Sequence, residues 1–254
     1  MKNIIKHFNI DKSSYIFILI CFLCGYFKYV IGLYIILFIH ELGHIFFIKL
    51  FKYKIKLISI YPYGGKTIID KDINTSINKE LCIALGGIIS QLILKLILFY
   101  YKDYLIDYKV WNLYNNVIIL FNLLPIIPLD GSNILRLILE KILPYEKSLK
   151  YIIIISILFL FIFILYNILY IKNIFMCFIL IYNLIIFRKN YYYLVNRFYL
   201  ERYLHNYEYK RIINESICDY HRLKKEKKHF FYKDGKYMDE HDILKDRFTK
   251  YYMG

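Results

Sequence analysis

The sequence predicts an all-α polytopic membrane protein with about six transmembrane helices, a small β-hairpin loop after the second span and a short α+β cytoplasmic tail. Its 254 residues are 59% hydrophobic with only 4 prolines, and the mean hydropathy is +0.40, which is too apolar for an ordinary soluble domain. Apolar runs long enough to cross about 30 Å of hydrocarbon occur at residues 14–30, 31–50, 80–101, 110–129, 151–171 and 173–187.

The basic residues set the orientation of these spans. The formal net charge is +15, and the Lys and Arg side chains gather between the second and third runs and beyond residue 187. Cytoplasmic segments of membrane proteins carry this excess. We therefore expect a multi-pass protein of the cytoplasmic membrane, with the lipid bilayer around it and no nucleic-acid partner. The 5 cysteines form an odd count that lies mostly in apolar runs, so no disulfide framework is predicted.

The second run contains the ionisable sequence His40-Glu41-Leu42-Gly43-His44. A charged side chain there costs roughly 2.5–3.5 kcal/mol on the mildest insertion scale, so it should be paired or bound. Residues four apart share a helix face, which directs both imidazoles at one metal and leaves Glu41 as the candidate base. The alternative is a chance match to H-E-x-x-H on a buried helix, which would leave the cost of desolvation unexplained.

The segment after the second run predicts a β-hairpin. Residues 54–60 alternate apolar and polar side chains, a turn follows, and residues 67–69 form a second short strand. An extended segment beside a metal site could pair with a substrate strand, so Tyr63, Gly64 and Gly65 are candidate substrate-binding residues. The alternative, a plain connecting hairpin, fits the pattern equally well.

The fourth run ends with two prolines three residues apart, followed by Asp130-Gly131. Prolines break a helix at membrane depth only where the freed backbone is buried in protein or lines a cavity. Catalytic zinc commonly takes three protein ligands and a water, so Asp130 is the candidate third ligand beside His40 and His44. Asp130 as a helix cap at the membrane surface is the alternative.

The remaining segments predict packing and a tail. Small residues at 84–91 favour close helix contact in the third span. Beyond residue 187 the chain is polar and basic, with a helix expected over 198–220, a hairpin over 229–238 turned at Asp234-Gly235, and a helix from about Asp239. We therefore divide the chain into a transmembrane domain at 1–187, which contains the candidate metal site, and a short basic cytoplasmic tail at 188–254.

Two motifs together resemble the site-2 protease family of intramembrane zinc metalloproteases: H-E-L-G-H in an early span and N-L-L-P-I-I-P-L-D-G in a later one. The resemblance implies a zinc metalloendopeptidase with His40, His44 and Asp130 as ligands and Glu41 as base. It also implies that Asn122 donates a hydrogen bond to the substrate backbone or the developing oxyanion. The substrate would be a membrane-associated segment of a regulatory protein.

Within this family the chain is most similar to the branch that processes pro-sigma-K during sporulation. The loop at 61–65 resembles that branch's L-P-F-G-G, and residues 196–203 resemble its R-F-L-L-E-R-Y stretch. The resemblance to this branch implies a location in the mother-cell membrane around the forespore. It also implies that inhibitory membrane proteins are possible partners. The tail is consistent with a reduced CBS-like region. The usual Gly-Pro of the third span is Gly86-Gly87 here.

Two other functions remain open. One is a general site-2 protease that cuts anti-sigma factors or signal-peptide remnants, which the metal motifs do not separate from the first. The other is a non-enzymatic metal-binding membrane protein. A transporter should carry further ligands along its path, and the fifth and sixth runs contain no acidic residue or histidine.

Overall fold

The computed structural model describes residues 8–10, 14–15, 19, 22–23, 25, 27–61, 64–167, 174–209, 211–233 and 235–252. The protein is mostly helical. Its helices are α1 (Phe27–Leu50), α2 (Ile77–Tyr100), α3 (Tyr108–Leu123), α4 (Asp130–Ile142), α5 (Tyr145–Asn167), α6 (Ile174–Leu204) and α7 (Glu240–Tyr252). Its strands are β1 (Phe8–Ile10), β2 (Lys54–Tyr61), β3 (Gly64–Asp70), β4 (Arg211–Glu215), β5 (Lys227–Lys233) and β6 (Lys236–Asp239).

The chain forms two compact units. The first contains residues up to Lys71 together with Leu81–Leu124, and the second contains Asp72–Glu80 together with the chain from Pro125 onward. Helix α6 runs without interruption across residues 187 and 188. The division into a protease domain at 1–187 and a tail at 188–254 stays a prediction.

The first unit holds the hairpin that the alternating sequence predicts, which is confirmed. Strand β2 pairs antiparallel with β3, with Tyr61 opposite Gly64. Strand β1 pairs parallel with β2 on the other side, with Phe8 opposite Ile58. The order is β1-β2-β3, so the hairpin is part of a three-stranded sheet.

Helices α1 and α2 approach each other through glycines, as the small-residue patch predicts. A Cβ atom on Gly43 would lie within 2.7 Å of the backbone of Gly86 and of Ser90 Oγ. A Cβ atom on Gly86 would lie within 2.9 Å of the Gly43 backbone and the Phe47 ring. Backbone contact of this kind is a common way for membrane helices to pack closely.

The second unit has an aromatic core that joins helices α5, α6 and α7 to β5. Its buried residues are Tyr145, Leu149, Tyr191, Val195, Phe198, Tyr199, Leu223, Phe231, Ile243 and Leu244. The predicted hairpin and following helix are confirmed as β5, β6 and α7. The helix expected over 198–220 is wrong beyond Leu204, because Arg211–Glu215 pairs parallel with β5 as β4. The two adjacent isoleucines of β4 favour a strand when a partner strand is available for pairing.

Three described helices are long and apolar enough to cross a bilayer: Tyr29–Leu50, Ile77–Tyr100 and Tyr145–Tyr166. The first predicted span, at 14–30, falls partly outside the described residues. The fourth, at 110–129, ends early, because α3 stops at Leu123 just before Pro125. The sixth, at 173–187, is the start of the 31-residue helix α6.

Candidate metal centre

Two imidazoles in the middle of α1 face each other. His40 is 3% exposed and His44 is 9% exposed, and their Nε2 atoms lie 3.1 Å apart. The pair is on one helix face because the residues are four apart. Two ring nitrogens at this separation can ligate one metal ion, since zinc–nitrogen bonds of about 2.0–2.1 Å in a tetrahedron span a similar distance.

The hydrogen bond made by Nδ1 of His44 indicates which ring nitrogen carries the proton. His44 Nδ1 lies 2.7 Å from the backbone carbonyl oxygen of Ile83 in α2. A carbonyl oxygen only accepts, so Nδ1 carries the proton and Nε2 keeps its lone pair. Metal-ligating histidines are oriented by this type of hydrogen bond. Sequence reasoning could not find Ile83, because a backbone carbonyl leaves no mark in side-chain patterns.

Gly87 of α2 leaves space beside the two imidazoles. A Cβ atom there would lie within 2.6 Å of Nε2 of both His40 and His44. Any side chain would therefore enter the space beside the Nε2 atoms of both imidazoles. The small-residue patch of the third span indicated helix packing, and the structure adds this second reason for a glycine.

Glu41 lies against the β-hairpin. A Cβ atom on Gly65 of β3 would lie within 2.6 Å of Cγ, Cδ and Oε1 of Glu41. Thr67, two residues along the same strand, donates a hydrogen bond of 3.4 Å from Oγ1 to Glu41 Oε2. The predicted base is therefore next to the predicted substrate-binding loop. Gly64 opens β3, and Tyr63 lies outside the described residues.

Asp130 belongs to the second unit, where it is the first residue of α4. The loop before it is braced by Ser156 Oγ, which accepts from Ile127 N at 3.3 Å and donates to Pro125 O at 3.2 Å. The helix break at the prolines is confirmed. The aspartate begins the next helix instead of ending the broken one, and its role as third ligand stays a prediction.

The sequence profile of peptidase family M50 matches residues 28–110 and 104–165, which together make up more than half of the chain. The chain belongs to peptidase family M50. It is 30% identical over 130 residues to stage IV sporulation protein FB of Bacillus subtilis, covering 50% of this chain and 45% of that protein. The predicted membership of the site-2 protease family is confirmed.

Two further relatives come from Methanocaldococcus jannaschii. A zinc metalloprotease is 34% identical over 129 residues, covering 46% of this chain and 37% of that protein. The solved structure of a site-2 protease from this organism matches with a TM-score of 0.58 at 25% identity, covering 70% of this chain and 88% of that one. The chain spans less than half the length of the two curated relatives.

The candidate metal-ligand atoms of this M50 chain, imidazole nitrogens and a carboxylate oxygen, suit zinc. Imidazole nitrogen is a preferred ligand of this metal, and carboxylate oxygen is accepted as well. The space kept by Gly87 and the orientation of His44 by Ile83 provide what a ligated metal requires of its surroundings. The M50 profile covers α1 to α5 almost completely, while α6 and the tail lie beyond it.

Asn122 is placed near the end of α3 in this M50 chain. Its Nδ2 atom donates a hydrogen bond of 3.1 Å to the carbonyl oxygen of Ile118, one turn earlier in the same helix. This bond uses one of the two N–H groups of the amide. A role for Asn122 as donor to the substrate stays a prediction.

Proposed function

We propose that this protein is an intramembrane zinc metalloendopeptidase that hydrolyses a peptide bond in a membrane-associated segment of a regulatory protein. The observation that carries the proposal is the pair of Nε2 atoms of His40 and His44, 3.1 Å apart in an apolar helix. Two imidazoles buried in an apolar helix with their Nε2 atoms together are costly unless they bind something. A metal ion accounts for both.

Asp130 is proposed as the third ligand. With the two histidines it gives two nitrogens and one oxygen, and a three-residue set leaves the fourth position to water or substrate. The position of Asp130 at the start of α4, beside a loop braced by Ser156, makes the carboxylate part of an ordered segment. A defined ligand position favours a defined coordination geometry.

Zinc at this site supplies Lewis-acid chemistry, which polarises the scissile carbonyl and acidifies a water molecule. Glu41 then acts as the general base: its carboxylate takes a proton from the attacking water and passes it to the leaving amine. Thr67 holds one carboxylate oxygen through its hydroxyl group. The closeness of Gly65 confines the Glu41 side chain on one side, which limits the orientations open to the base.

Strand β3 is proposed to present the substrate. Hydrolysis needs an extended backbone, because a helical substrate keeps its carbonyls in its own hydrogen bonds. In the part of the chain that the structure describes, β3 pairs only with β2, so its outer edge can accept a strand. Gly64 and Gly65 lie on this strand, and Gly65 is in contact with the base.

The proposed substrate is pro-sigma-K. The resemblance to stage IV sporulation protein FB supports it at 30% identity, together with the loop at 61–65. The proposed setting is the mother-cell membrane around the forespore. The chain would cross it with six spans, and both metal-ligand motifs would lie toward the cytoplasm. A general site-2 protease that cuts anti-sigma factors or signal-peptide remnants is the alternative within the class.

The base is tested by Glu41→Gln. The variant should bind zinc and keep its fold but lose cleavage by a factor of at least about 100, because the amide cannot take a proton at neutral pH. Purified wild-type and variant proteins are compared by zinc analysis and by cleavage of a membrane-anchored peptide. Glu208→Gln, at an exposed position, is the matched control and should cleave normally. Normal cleavage by Glu41→Gln would exclude Glu41 as the base.

The ligand set is tested by Asp130→Ala against Asp103→Ala, which lies in an exposed turn. Loss of one of three ligands should lower the zinc content measured after mild chelation, while the control keeps it. Unchanged zinc in Asp130→Ala would argue against the site as proposed. Zinc in the wild-type protein without cleavage of any membrane peptide would favour the non-enzymatic metal-binding function.

A further inference from the structure

The connector Asp72–Glu80 follows the β2–β3 hairpin, includes the first turn of α2 and belongs to the second unit. Four groups in this connector bond to the end of α6 or to the tail. Ile73 N donates to Glu201 Oε2 at 2.6 Å, and Ile77 N donates to Glu226 Oε1 at 2.9 Å. Asn74 Oδ1 accepts from Glu226 N at 3.2 Å, and Glu80 pairs with Lys225.

The bond from Ile77 to Glu226 has the geometry of a helix cap. Ile77 is the first residue of α2, and its backbone N–H is one of the groups that have no partner inside the helix. A carboxylate at this end also interacts favourably with the helix dipole. The tail thus provides an N-terminal cap for the helix that carries Gly86 and Gly87.

The loop that provides this cap is itself constrained. Glu226 has a φ of 60°, a left-handed conformation that a non-glycine residue adopts at a cost and that persists only where its surroundings enforce it. Arg202 at the end of α6 does so by donating to the carbonyl oxygens of Lys224 and Lys227, at 2.7 Å each. The same guanidinium binds Glu240 at 2.5 Å.

Lys225 of this loop is buried in a group of four charges. It is 2% exposed, and it pairs with Glu80 and lies 3.5 Å from Glu140 Oε2. Arg136 completes the group by pairing with Glu140, and it lies 3.9 Å from Glu80. Glu80 is in the first turn of α2, whereas Arg136 and Glu140 are on α4. The two positive and two negative charges therefore balance inside the protein.

We propose that the loop formed by Lys225 and Glu226 is a clamp by which the tail holds two helices in the second unit, the first turn of α2 through Glu226 and Glu80, and α4 through Glu140 and Arg136. Helix α2 carries Gly87 and the Ile83 carbonyl that orients His44. Helix α4 begins with Asp130. This inference rests on the proposed metalloprotease function, and it makes Lys225 and Glu226 positioning residues.

The clamp is tested first without any assay of activity. Glu226→Ala in the full-length protein should speed hydrogen exchange of the amides of Ile77–Glu80 at least tenfold, because the carboxylate that caps the backbone N–H of Ile77 is lost. Glu208→Ala, an exposed glutamate of the same tail, should leave these amides unchanged. Equal exchange in the two variants would overturn the clamp.

The link to the metal site is tested with Lys225→Met. The variant leaves Glu80 and Glu140 facing Arg136 alone, so we expect zinc to be lost at an at least tenfold lower chelator concentration and kcat to fall by a similar factor. Added zinc should restore part of kcat, which it would not do for a misfolded protein. Lys236→Met, an exposed lysine on β6, should match wild type.

A rescue variant keeps the test decisive if Lys225→Met fails to fold. Lys225→Met combined with Glu140→Gln leaves one carboxylate and one guanidinium, so charge balance returns and zinc retention should recover toward wild type. No recovery in a folded double variant would overturn the clamp. A wild type that cleaves no peptide, with zinc retention still dependent on Lys225, would reject the protease function and leave the clamp intact.

Discussion

The two small sheets of this protein have the same topology and different surroundings. In the first unit β1 is parallel to β2, and β2 is antiparallel to β3. In the second unit β4 is parallel to β5, and β5 is antiparallel to β6. Each sheet is thus a hairpin with one further strand added parallel to its first strand.

In both sheets the central strand and one edge strand contact a helix, so the difference lies in the residues at these contacts. In the first sheet the edge strand β3 contacts α1, and at the contact point a glycine lies against Glu41. In the second sheet the central strand β5 is buried, with His229 and Phe231 both 0% exposed. The first sheet therefore leaves an edge beside an acidic group, whereas the second completes a core. Strand order alone therefore does not reveal this difference in surroundings.

The largest effect is expected at Gly65. In Gly65→Ala the new Cβ atom would lie within 2.6 Å of three Glu41 atoms, and the flexible glutamate would move away from its position. A misplacement of about 1 Å can cost roughly 100-fold in rate. We expect zinc and fold to be retained and cleavage to fall at least about 100-fold, measured with a membrane-anchored peptide.

The control for Gly65 is Ile68→Ala on the same strand. Ile68 is 40% exposed and, by alternation along β3, lies on the opposite face from Gly65. Its cleavage rate should remain within about twofold of wild type. A cysteine at Ile68 should also crosslink to the cleavage region of the substrate in a Glu41→Gln background if β3 presents the substrate. If Gly65→Ala cleaves at the wild-type rate and no crosslink forms, the hairpin only connects α1 to α2 and does not present the substrate.

Much of the metal centre could be predicted from the sequence because its chemistry is local. The i, i+4 spacing places His40 and His44 on one face whatever the rest of the chain does, and the Glu between them follows from the same motif. The hairpins at β2–β3 and β5–β6 were predictable for the same reason, since alternation and turn residues act between neighbours.

The parts that sequence reasoning missed depend on residues far apart in the chain. Strand β1 pairs with a strand about 50 residues later, with Phe8 opposite Ile58, and three residues carry too short a pattern to indicate it. The Ile83 carbonyl and the loop at Lys225 are fixed by tertiary contacts. The basic tail was predicted from composition, which gives no indication that one of its lysines is buried.

The second prediction concerns the pH response of the second sheet. Burial, together with the positive charges of Arg202, Lys224 and Lys227, lowers the pKa of His229 to about 3. The unfolded chain has an ordinary pKa near 6.5, so between these values it binds a proton that the folded sheet does not. The free energy of opening the second sheet should therefore be highest above pH 6.5 and decrease as the pH falls below that value. The decrease should be about 1.4 kcal/mol between pH 7.5 and 5.5.

Hydrogen exchange of the β5 amides, corrected for the intrinsic effect of pH, measures this opening free energy. His229→Gln keeps an acceptor for the backbone N–H of Lys224, which bonds to His229 Nε2 at 3.0 Å, but it does not titrate. Its opening free energy should be lower at pH 7.5 and flat down to pH 5.5. The amides of β2 should show no such slope, because the described strands of the first sheet contain no histidine. A slope that persists in His229→Gln would assign the proton to another group.

The smallest effect is expected at Gly235, which lies in the turn between β5 and β6. Gly235 has a φ of +80°, and a Cβ atom there would meet nothing within 4 Å, so the glycine serves backbone conformation and not close contact. Alanine in this conformation costs roughly 1–2 kcal/mol, partly offset by a stiffer unfolded chain, which leaves about 1 kcal/mol. Exchange of the β5 and β6 amides should rise about fivefold in Gly235→Ala while cleavage stays normal. Gly235→Asn should recover about half of the loss, because asparagine tolerates left-handed backbone. If Gly235→Ala instead lowers cleavage as strongly as Gly65→Ala does, the two sheets do not divide their roles as their contacts indicate.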